Sequence, residues 1–339
     1  MATTTRNSSI EALRLLAIFG IVIMHVNGPL LSGAFGSNSI WIQLENSLFN
    51  CGVSVFVLIS GYFGVKRTSL KLLFLEFSAV FYSFAGALLS FILSGGGYSQ
   101  IIKAMLPFST NEFWFFTCYL LIMLFAQYLN EFVERSTKQQ FHKILAALCL
   151  LFVLLPTVLY FHPLESGKNV LNLVFVYLLG GYLRRFRVEE KLSDSYLSIV
   201  FVGSFLGILI FDLILSGITG SIHIPFARDC SVLVILEAVS IFLLFNKRHY
   251  HSRLINKISG HVFAVYLFEG AFRTCLLPLL INVEAYYSSA LWPVVSILIS
   301  LVTVAACILI DLPVNWLIKE LLNRCSFLTS LCDRVLEKI

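Results

Sequence analysis

Three residues of the first apolar segment have side chains that could do chemistry inside a membrane. Glu11, Arg14 and His25 lie in a run that is otherwise mainly aliphatic. A charge in the middle of a membrane helix costs roughly 2.5–3.5 kcal/mol on insertion scales, so such residues are functional candidates. Eleven helical steps separate Arg14 from His25, which leaves only about 20° of rotation between their side chains. We expect both to project from one face, about 16 Å apart along the helix axis.

A ligand that suits this pair is long, anionic at one end and reactive at the other. Acyl-coenzyme A has this shape, because an extended pantetheine arm joins its phosphates to a thioester. A guanidinium is well suited to phosphate oxygens, so we expect Arg14 to bind the phosphates or the proximal arm. His25 would then lie near the thioester. A basic cluster after the second apolar segment could attract the nucleotide phosphates as well, and it consists of Lys66, Arg67 and Lys71.

Each of these residues also has a structural interpretation. Arg14 could extend its guanidinium to the membrane surface or pair with Glu11, and His25 could be a hydrogen-bonded interior histidine. Arg14 and His25 each add a free-energy cost to inserting the helix into the membrane. That both lie on one face favours a functional pair over this structural interpretation. Clusters such as Lys66 and Lys71 often serve only to set the membrane topology.

The elements that position these residues are predicted to be membrane helices. Of the 339 residues, 58% are hydrophobic and only 13% are charged, which is too little polar surface for a water-soluble fold. We predict an all-α helix bundle in one domain, residues 1–339, with both termini cytoplasmic. Ten segments approach the length of a membrane span: Ile10–Leu31, Asn46–Gly64, Leu70–Ser94, Phe113–Phe132, Ile144–Phe161, Asn169–Leu183, Tyr196–Ser216, Ser231–Phe245, Ser259–Ile281 and Ala290–Ile310.

The distribution of basic residues supports ten helices. With the amino terminus inside, nineteen of the 24 Lys and Arg residues fall in cytoplasmic segments, and only Lys103, Lys168 and Arg228 fall in outer loops. The net charge of +5 is spread along the chain, so it does not predict a nucleic-acid partner. The eight cysteines form no C-x-x-C pair, and no metal site is predicted.

Several stretches resemble a known family. Glu11-x-x-Arg14, followed after ten residues by His25, is similar to the first-helix signature of the acyltransferase-3 family, bacterial integral-membrane enzymes that O-acylate surface polysaccharides. Four further stretches are similar to its other motifs: Phe56–Phe63, Phe113–Asn130, Ile258–Glu269 and Asp311–Pro313. The chain departs from the pattern at Glu269, where many members carry histidine, and at Asp311, where the usual residue is glutamate.

The resemblance implies an O-acetyltransferase of the bacterial inner membrane. Its donor would be acetyl-CoA, and its acceptor a hydroxyl of a surface polysaccharide or of a lipid-linked sugar. A sugar hydroxyl is a poor nucleophile until a base removes its proton, and an imidazole is the side chain best poised to do so at neutral pH. His25 is therefore predicted to be the general base or, alternatively, a transient acyl carrier. The predicted catalytic set is His25, Arg14 and Glu11.

Aromatic rings could line the acceptor groove, because they pack on the apolar faces of sugars. The candidates are Tyr62, Trp114, Tyr119 and Tyr266, together with the carboxylate of Glu269. An interfacial aromatic belt is the alternative for Trp114, and an ion pair with Arg273 is the alternative for Glu269. A secondary transporter or flippase that uses the same intramembrane charges is a competing function. The absence of repeated halves argues against it.

Overall fold

The computed structural model describes residues 6–33, 36, 38–159 and 167–336, and in these residues the chain is helical with no strand. The α-helices are α1 (Ser8–Asn27), α2 (Ser39–Phe49), α3 (Gly52–Phe63), α4 (Ser69–Ser94), α5 (Tyr98–Ala104), α6 (Trp114–Arg135), α7 (Lys138–Cys149), α8 (Leu155–Leu159), α9 (Val170–Arg185), α10 (Val188–Lys191), α11 (Asp194–Thr219), α12 (Val232–Asn246), α13 (Arg253–Ile258), α14 (Val262–Ala271), α15 (Trp292–Arg324) and α16 (Ser326–Leu336). The prediction of a polytopic helical membrane protein is confirmed.

Every predicted span coincides with a helix or with consecutive helices. Eight spans in the described residues are long and apolar enough to cross a membrane. The predicted sixth and eighth spans correspond to α9 and α12, which have only 16 and 15 residues. The predicted fifth span begins in α7, passes through a π-helical turn into α8, and ends at residues 160 and 161, which lie outside the described residues.

Helix α1 lies between the two main hydrophobic clusters of the bundle. Its first half, including Leu13, packs into a cluster formed mainly by α3, α6, α9, α11 and α12. Its second half, including Ile18 and Val22, packs with α4, α14 and α15. The Asn7 side chain accepts a hydrogen bond from the Ser9 amide and so caps the first turn. Burial on both sides fixes the rotation of α1 and therefore the direction of its polar side chains.

Two glycines bring α3 and α9 into direct backbone contact. A Cβ atom at Gly61 would overlap the Tyr177 carbonyl oxygen, and one at Gly180 would overlap the Leu58 carbonyl oxygen. Small residues at such positions let membrane helices approach closely, where van der Waals packing and not water exclusion holds them together. This contact builds the wall on one side of α1.

The chain from Arg253 to Leu279 is a broken helix on the other side of α1. A 3-10 turn at Ser259–His261 joins α13 to α14, and a π-helical turn at Phe272–Leu276 follows α14 directly. π-Helical turns within α-helices are frequent at functional sites. Here the turn carries Arg273 and comes three residues after Glu269, so it sets the direction of both side chains.

Candidate active site

Three cavities run in series through the bundle. The basic cavity, of about 1140 Å³, is lined by Arg6, Arg14, Lys66, Lys71 and Lys319 among others. The central cavity, of about 310 Å³, shares Arg14, Ser60 and Tyr119 with the basic one. The distal cavity, of about 640 Å³, shares His25, Trp114, Lys168 and Tyr266 with the central one. Arg14 and His25 thus line one continuous path, as their spacing predicted.

His25 forms a pair with Glu269, which lies on α14. The imidazole Nδ1 is 2.7 Å from the carboxylate Oε1, and the Glu269 side chain is only 7% exposed. Because an ionised carboxylate only accepts hydrogen bonds, Nδ1 carries the hydrogen in the neutral ring and Nε2 carries the lone pair. The His25 side chain is 46% exposed and lines both the central and the distal cavity. It is therefore accessible as a base from two directions.

Arg273 completes a chain of three groups. Its Nε donates to the second carboxylate oxygen of Glu269 over 3.4 Å, so the predicted ion pair is present. The carboxylate therefore bridges a guanidinium and the imidazole. The carboxylate–imidazole bond resembles that of a catalytic triad, in which a buried carboxylate orients a histidine and stabilises its protonated form. Sequence analysis predicted that Glu269 contacts the acceptor or Arg273, and it did not predict the bond to His25.

Glu11 bridges two arginines at the opposite end of α1. Its Oε1 lies 2.6 Å from Arg6 Nε, and its Oε2 lies 3.8 Å from Arg14 Nη1. Glu11 is buried, whereas the Arg14 side chain is 28% exposed to the cavity. Fourteen helical steps place Glu11 about 21 Å along the axis from His25, and Arg14 lies about 16 Å away. Glu11 and Arg14 are therefore too far along the helix to contact His25, and Glu11 instead contacts Arg14.

The basic cavity contains more cations than the sequence predicted. Lys66 and Lys71 line it as expected, and Arg6 and Lys319 join them from the start of the chain and from α15. The sequence showed Arg6 and Lys319 only as members of the basic loop segments. Nothing in their local spacing indicates that α1 and α15 bring them together. Several cations around one cavity favour a ligand with several negative charges.

Two of the predicted binding residues lie away from the cavities. Arg67 donates to the Gln127 side chain and to the Leu336 carbonyl oxygen, each over 3.1 Å, and so it fastens α16 to the bundle. The Tyr62 hydroxyl donates to Glu189 over 2.7 Å, and its ring packs edge-on against Phe242. Neither residue is among those lining the three cavities. The structure thus places Arg67 and Tyr62 against protein groups and does not bring them together with Arg14 and His25.

The other predicted aromatic residues do line the path. Trp114 and Tyr266 line both the central and the distal cavity, next to His25. The Tyr266 hydroxyl accepts hydrogen bonds from the Phe115 and Phe116 amides, so it caps the first turn of α6. Tyr119 is nearer the basic end, where its hydroxyl lies 3.0 Å from Ser60 Oγ. It lines the basic and central cavities and not the distal one.

Lys168 and Asp229 add a charged pair to the wall of the central cavity, at loop positions outside the membrane spans. The Lys168 ammonium lies 5.9 Å from the Trp114 ring centroid, a cation–π distance. Burial raises the pKa of Asp229 to about 6, and attraction to Lys168 opposes the rise. Above that pH the Asp229 carboxylate is charged beside the cavity that His25 lines.

A second histidine forms a separate network that the sequence did not predict. Asp311 Oδ2 lies 2.6 Å from His261 Nδ1, and its Oδ1 accepts from the Tyr82 hydroxyl over 2.6 Å. Asn315 donates to the same carboxylate over 3.3 Å. These bonds join α4, α15 and the turn before α14. We therefore assign Asp311 to holding the start of α14 in place, which positions Glu269 two turns further along.

Comparison with known proteins gives one result that bears on this site. Residues 7–312 match the model of a family described as an acyltransferase domain. The match covers α1 and the first part of α15, so it includes Arg14, His25 and Glu269 but not Arg6, Asn315 or Lys319. Comparisons with curated proteins and with solved structures gave no significant match.

Proposed function

The chain belongs to the acyltransferase-3 family of integral-membrane acyltransferases, and we propose that it moves an acetyl group from acetyl-CoA to a sugar hydroxyl, with His25 as the general base. The observation that carries this proposal is the position of His25. It is accessible from the central and the distal cavity, and Glu269 holds its Nδ1. Family membership favours this function over transport.

The donor binds from the basic end. Five cations line the basic cavity, and the nucleotide of coenzyme A carries phosphates that Arg14, Lys66, Lys71 and their neighbours can bind. The central cavity continues from Arg14 to His25 with a mainly apolar wall that includes Ile18 and Ile21. An extended pantetheine arm fits the separation of about 16 Å between Arg14 and His25. The thioester then lies beside the imidazole.

The acceptor binds in the distal cavity. Its wall combines the Trp114 and Tyr266 rings with polar groups that can bond to sugar hydroxyls, including Ser83, Ser90 and Gln100. With the carbohydrate held there, the reacting hydroxyl faces His25 on the side opposite the donor. The two substrates need not share an opening, so an acetyl group from a cytoplasmic donor can reach a glycan at the other face of a bacterial inner membrane.

Proton transfer at His25 balances the reaction. Nε2 removes the proton from the sugar hydroxyl as its oxygen attacks the thioester carbonyl carbon, and the imidazolium is stabilised by Glu269. The carbon–sulfur bond breaks, an ester forms, and the thiolate of coenzyme A leaves. Nε2 then returns its proton to the sulfur, so the enzyme ends the cycle unchanged. No step requires a metal ion or a covalent enzyme intermediate.

The proposal is tested with purified protein in lipid nanodiscs. Acetyl-CoA carrying an isotopic label in the acetyl group is supplied with glycans and lipid-linked sugars from the source cells, and products are identified by mass spectrometry. We expect label in an O-acetyl ester and an equal amount of free coenzyme A. Proton-coupled uptake of a solute without any ester would contradict the proposal and favour a transporter.

A further inference from the structure

Four residues line both the central and the distal cavity, and they are His25, Trp114, Lys168 and Tyr266. We name this place the junction of the two cavities. In the proposed reaction the thioester arrives through the central cavity and the sugar hydroxyl through the distal one. The carbonyl carbon that the hydroxyl attacks must therefore lie at the junction, within reach of these side chains.

Attack on the thioester places a negative charge on its carbonyl oxygen. The sugar oxygen forms a bond to the carbonyl carbon, one electron pair of the C=O bond moves to its oxygen, and His25 takes the hydroxyl proton. The electron pair returns when the carbon–sulfur bond breaks. Hydrogen-bond donors held beside the carbonyl oxygen stabilise the charge. His25 cannot be that donor while Nε2 accepts the proton, because Glu269 holds its Nδ1.

Lys168 brings unused donors to the junction. An ammonium group has three hydrogens to donate. In the part of the chain that the structure describes, the Lys168 Nζ forms no hydrogen bond or close ion pair, and it lies 5.9 Å from the centroid of the Trp114 ring. Arg14 lines the central cavity but not the distal one, and Lys103 lines the distal cavity but not the central one. Of the described Lys and Arg residues, only Lys168 lines both.

The backbone that carries Lys168 is fixed on a neighbouring loop. Gly167 has a φ of +96°, and a Cβ atom there would lie 2.6 Å from the Cys230 amide nitrogen. The buried Asn172 side chain donates to the Gly167 carbonyl oxygen over 3.1 Å and to the Asp229 carbonyl oxygen over 3.3 Å. The Asp229 side chain also attracts Lys168 electrostatically. The ammonium is therefore held in place before any substrate binds, which is what stabilisation of a developing charge requires.

We propose that Lys168 is a catalytic residue that donates a hydrogen bond to the thioester carbonyl oxygen and stabilises its negative charge during attack. This inference rests on the proposed function, because it adds a residue to that reaction. Lys168 transfers no proton, and His25 remains the base. The Trp114 ring holds the ammonium at the junction on the side away from the substrates. A lysine that only stabilised the loop through its cation–π contact would have no effect on the chemical step.

Lys168→Met tests this proposal, because methionine keeps an unbranched stem beside Trp114 and removes the ammonium. In nanodiscs with labelled acetyl-CoA, kcat should fall by about 10²–10³-fold, the cost of losing one such donor, while both KM values stay nearly constant. Lys168→Arg should recover most of the loss. Lys138→Met is the matched control, because Lys138 Nζ lies 5.9 Å from the Phe186 ring centroid and lines none of the three cavities.

Three results with Lys168→Met would overturn the proposal. The first is a kcat equal to that of the wild type. The second is a raised KM for the acceptor with unchanged kcat, which would make Lys168 a binding residue. The third is an equal loss in Lys138→Met, which would indicate a general effect of removing a cation–π contact.

A double-mutant cycle tests whether the loop acts through Lys168. Asn172→Ala removes the bonds to Gly167 and Asp229, so it should lower kcat in the wild type and have no further effect on kcat in Lys168→Met. Equal fold losses of kcat in both backgrounds would contradict positioning by Asn172. If the wild type forms no ester at all, the proposed function fails and this inference fails with it. An active wild type and an equally active Lys168→Met would overturn the inference alone.

Discussion

The imidazole Nδ1 of His25 lies 2.7 Å from the Glu269 carboxylate, although the two residues are 244 positions apart in the chain. His25 comes from a helix buried between two clusters, and Glu269 from a broken helix whose start is fixed by Asp311. The pair therefore depends on the whole bundle. It orients the His25 imidazole, as the proposed role of a general base requires.

Glu269→Gln tests this orientation. The amide can donate a hydrogen bond to Nδ1, which would place the hydrogen of the imidazole on Nε2, where the base needs a lone pair. We expect kcat to fall by about 10²–10⁴-fold, the range of general acid–base catalysis, with little change in the KM for acetyl-CoA. Steady-state kinetics with acetyl-CoA as the varied substrate measure both constants. A raised KM with unchanged kcat would show that Glu269 contacts a substrate instead.

Arg14→Ala tests the donor site. Charge-assisted hydrogen bonds contribute about 1.5–3 kcal/mol, so the Kd for acetyl-CoA should rise by roughly 10–100-fold. Isothermal titration in detergent measures the Kd, and the loss should shrink as ionic strength increases. Arg67→Ala is the matched control, because Arg67 has the same charge at the same end of the bundle but binds Gln127 and Leu336. Equal losses in both variants would refute a specific role for Arg14.

Asp229→Asn should stabilise the protein at neutral pH. Burial raises the pKa of Asp229 to about 6, so the folded protein favours the protonated carboxyl, and ionisation costs up to about 3 kcal/mol of stability. The wild type loses this stability as the pH rises from about 4, the unfolded pKa, to about 6. The variant should therefore unfold at a higher temperature at pH 7 and at the same temperature as the wild type near pH 4. A constant difference across this range would contradict the assignment.

Gly61→Ala should destabilise the bundle. The added Cβ would meet the Tyr177 carbonyl oxygen, so α3 and α9 must separate, and overpacking of this kind typically costs about 1–3 kcal/mol. Gly203→Ala is the control, because no atom lies within 4 Å of its added Cβ and alanine favours a helix. Thermal unfolding in detergent should show a lower midpoint for Gly61→Ala alone.

The helices and the alignment of Arg14 with His25 on α1 could be predicted from the sequence. A continuous run of about 20 apolar residues is enough to predict a membrane span. The helical period alone places Arg14 and His25 on one face. The partners of His25 could not be predicted this way, because nothing local links α1 to Glu269. For the same reason, the sequence could not predict that Arg6 and Lys319 line the basic cavity. Residue type alone could not indicate that Tyr62 and Arg67 hydrogen-bond to protein groups in the folded chain.

The short helix α5 was missed for a different reason. Seven residues in a loop carry too few apolar positions for a periodic signal, so only the folded chain shows that Gln100, Lys103 and Ala104 line the distal cavity. The location of such a short helix is set by its tertiary contacts, which the local sequence does not encode. The broken helix around Glu269 is a similar case, since its π-helical turn has no sequence signature of its own.

The most direct test of the whole account is the activity of His25→Ala. The variant should be produced at the wild-type level and should bind acetyl-CoA with a similar Kd, because the phosphates are held about 16 Å away at Arg14. Transfer of labelled acetyl to the acceptor, measured by mass spectrometry, should fall at least 10²-fold. Transfer at the wild-type rate by a folded, donor-binding His25→Ala protein would contradict the account, since it would remove the base from the reaction.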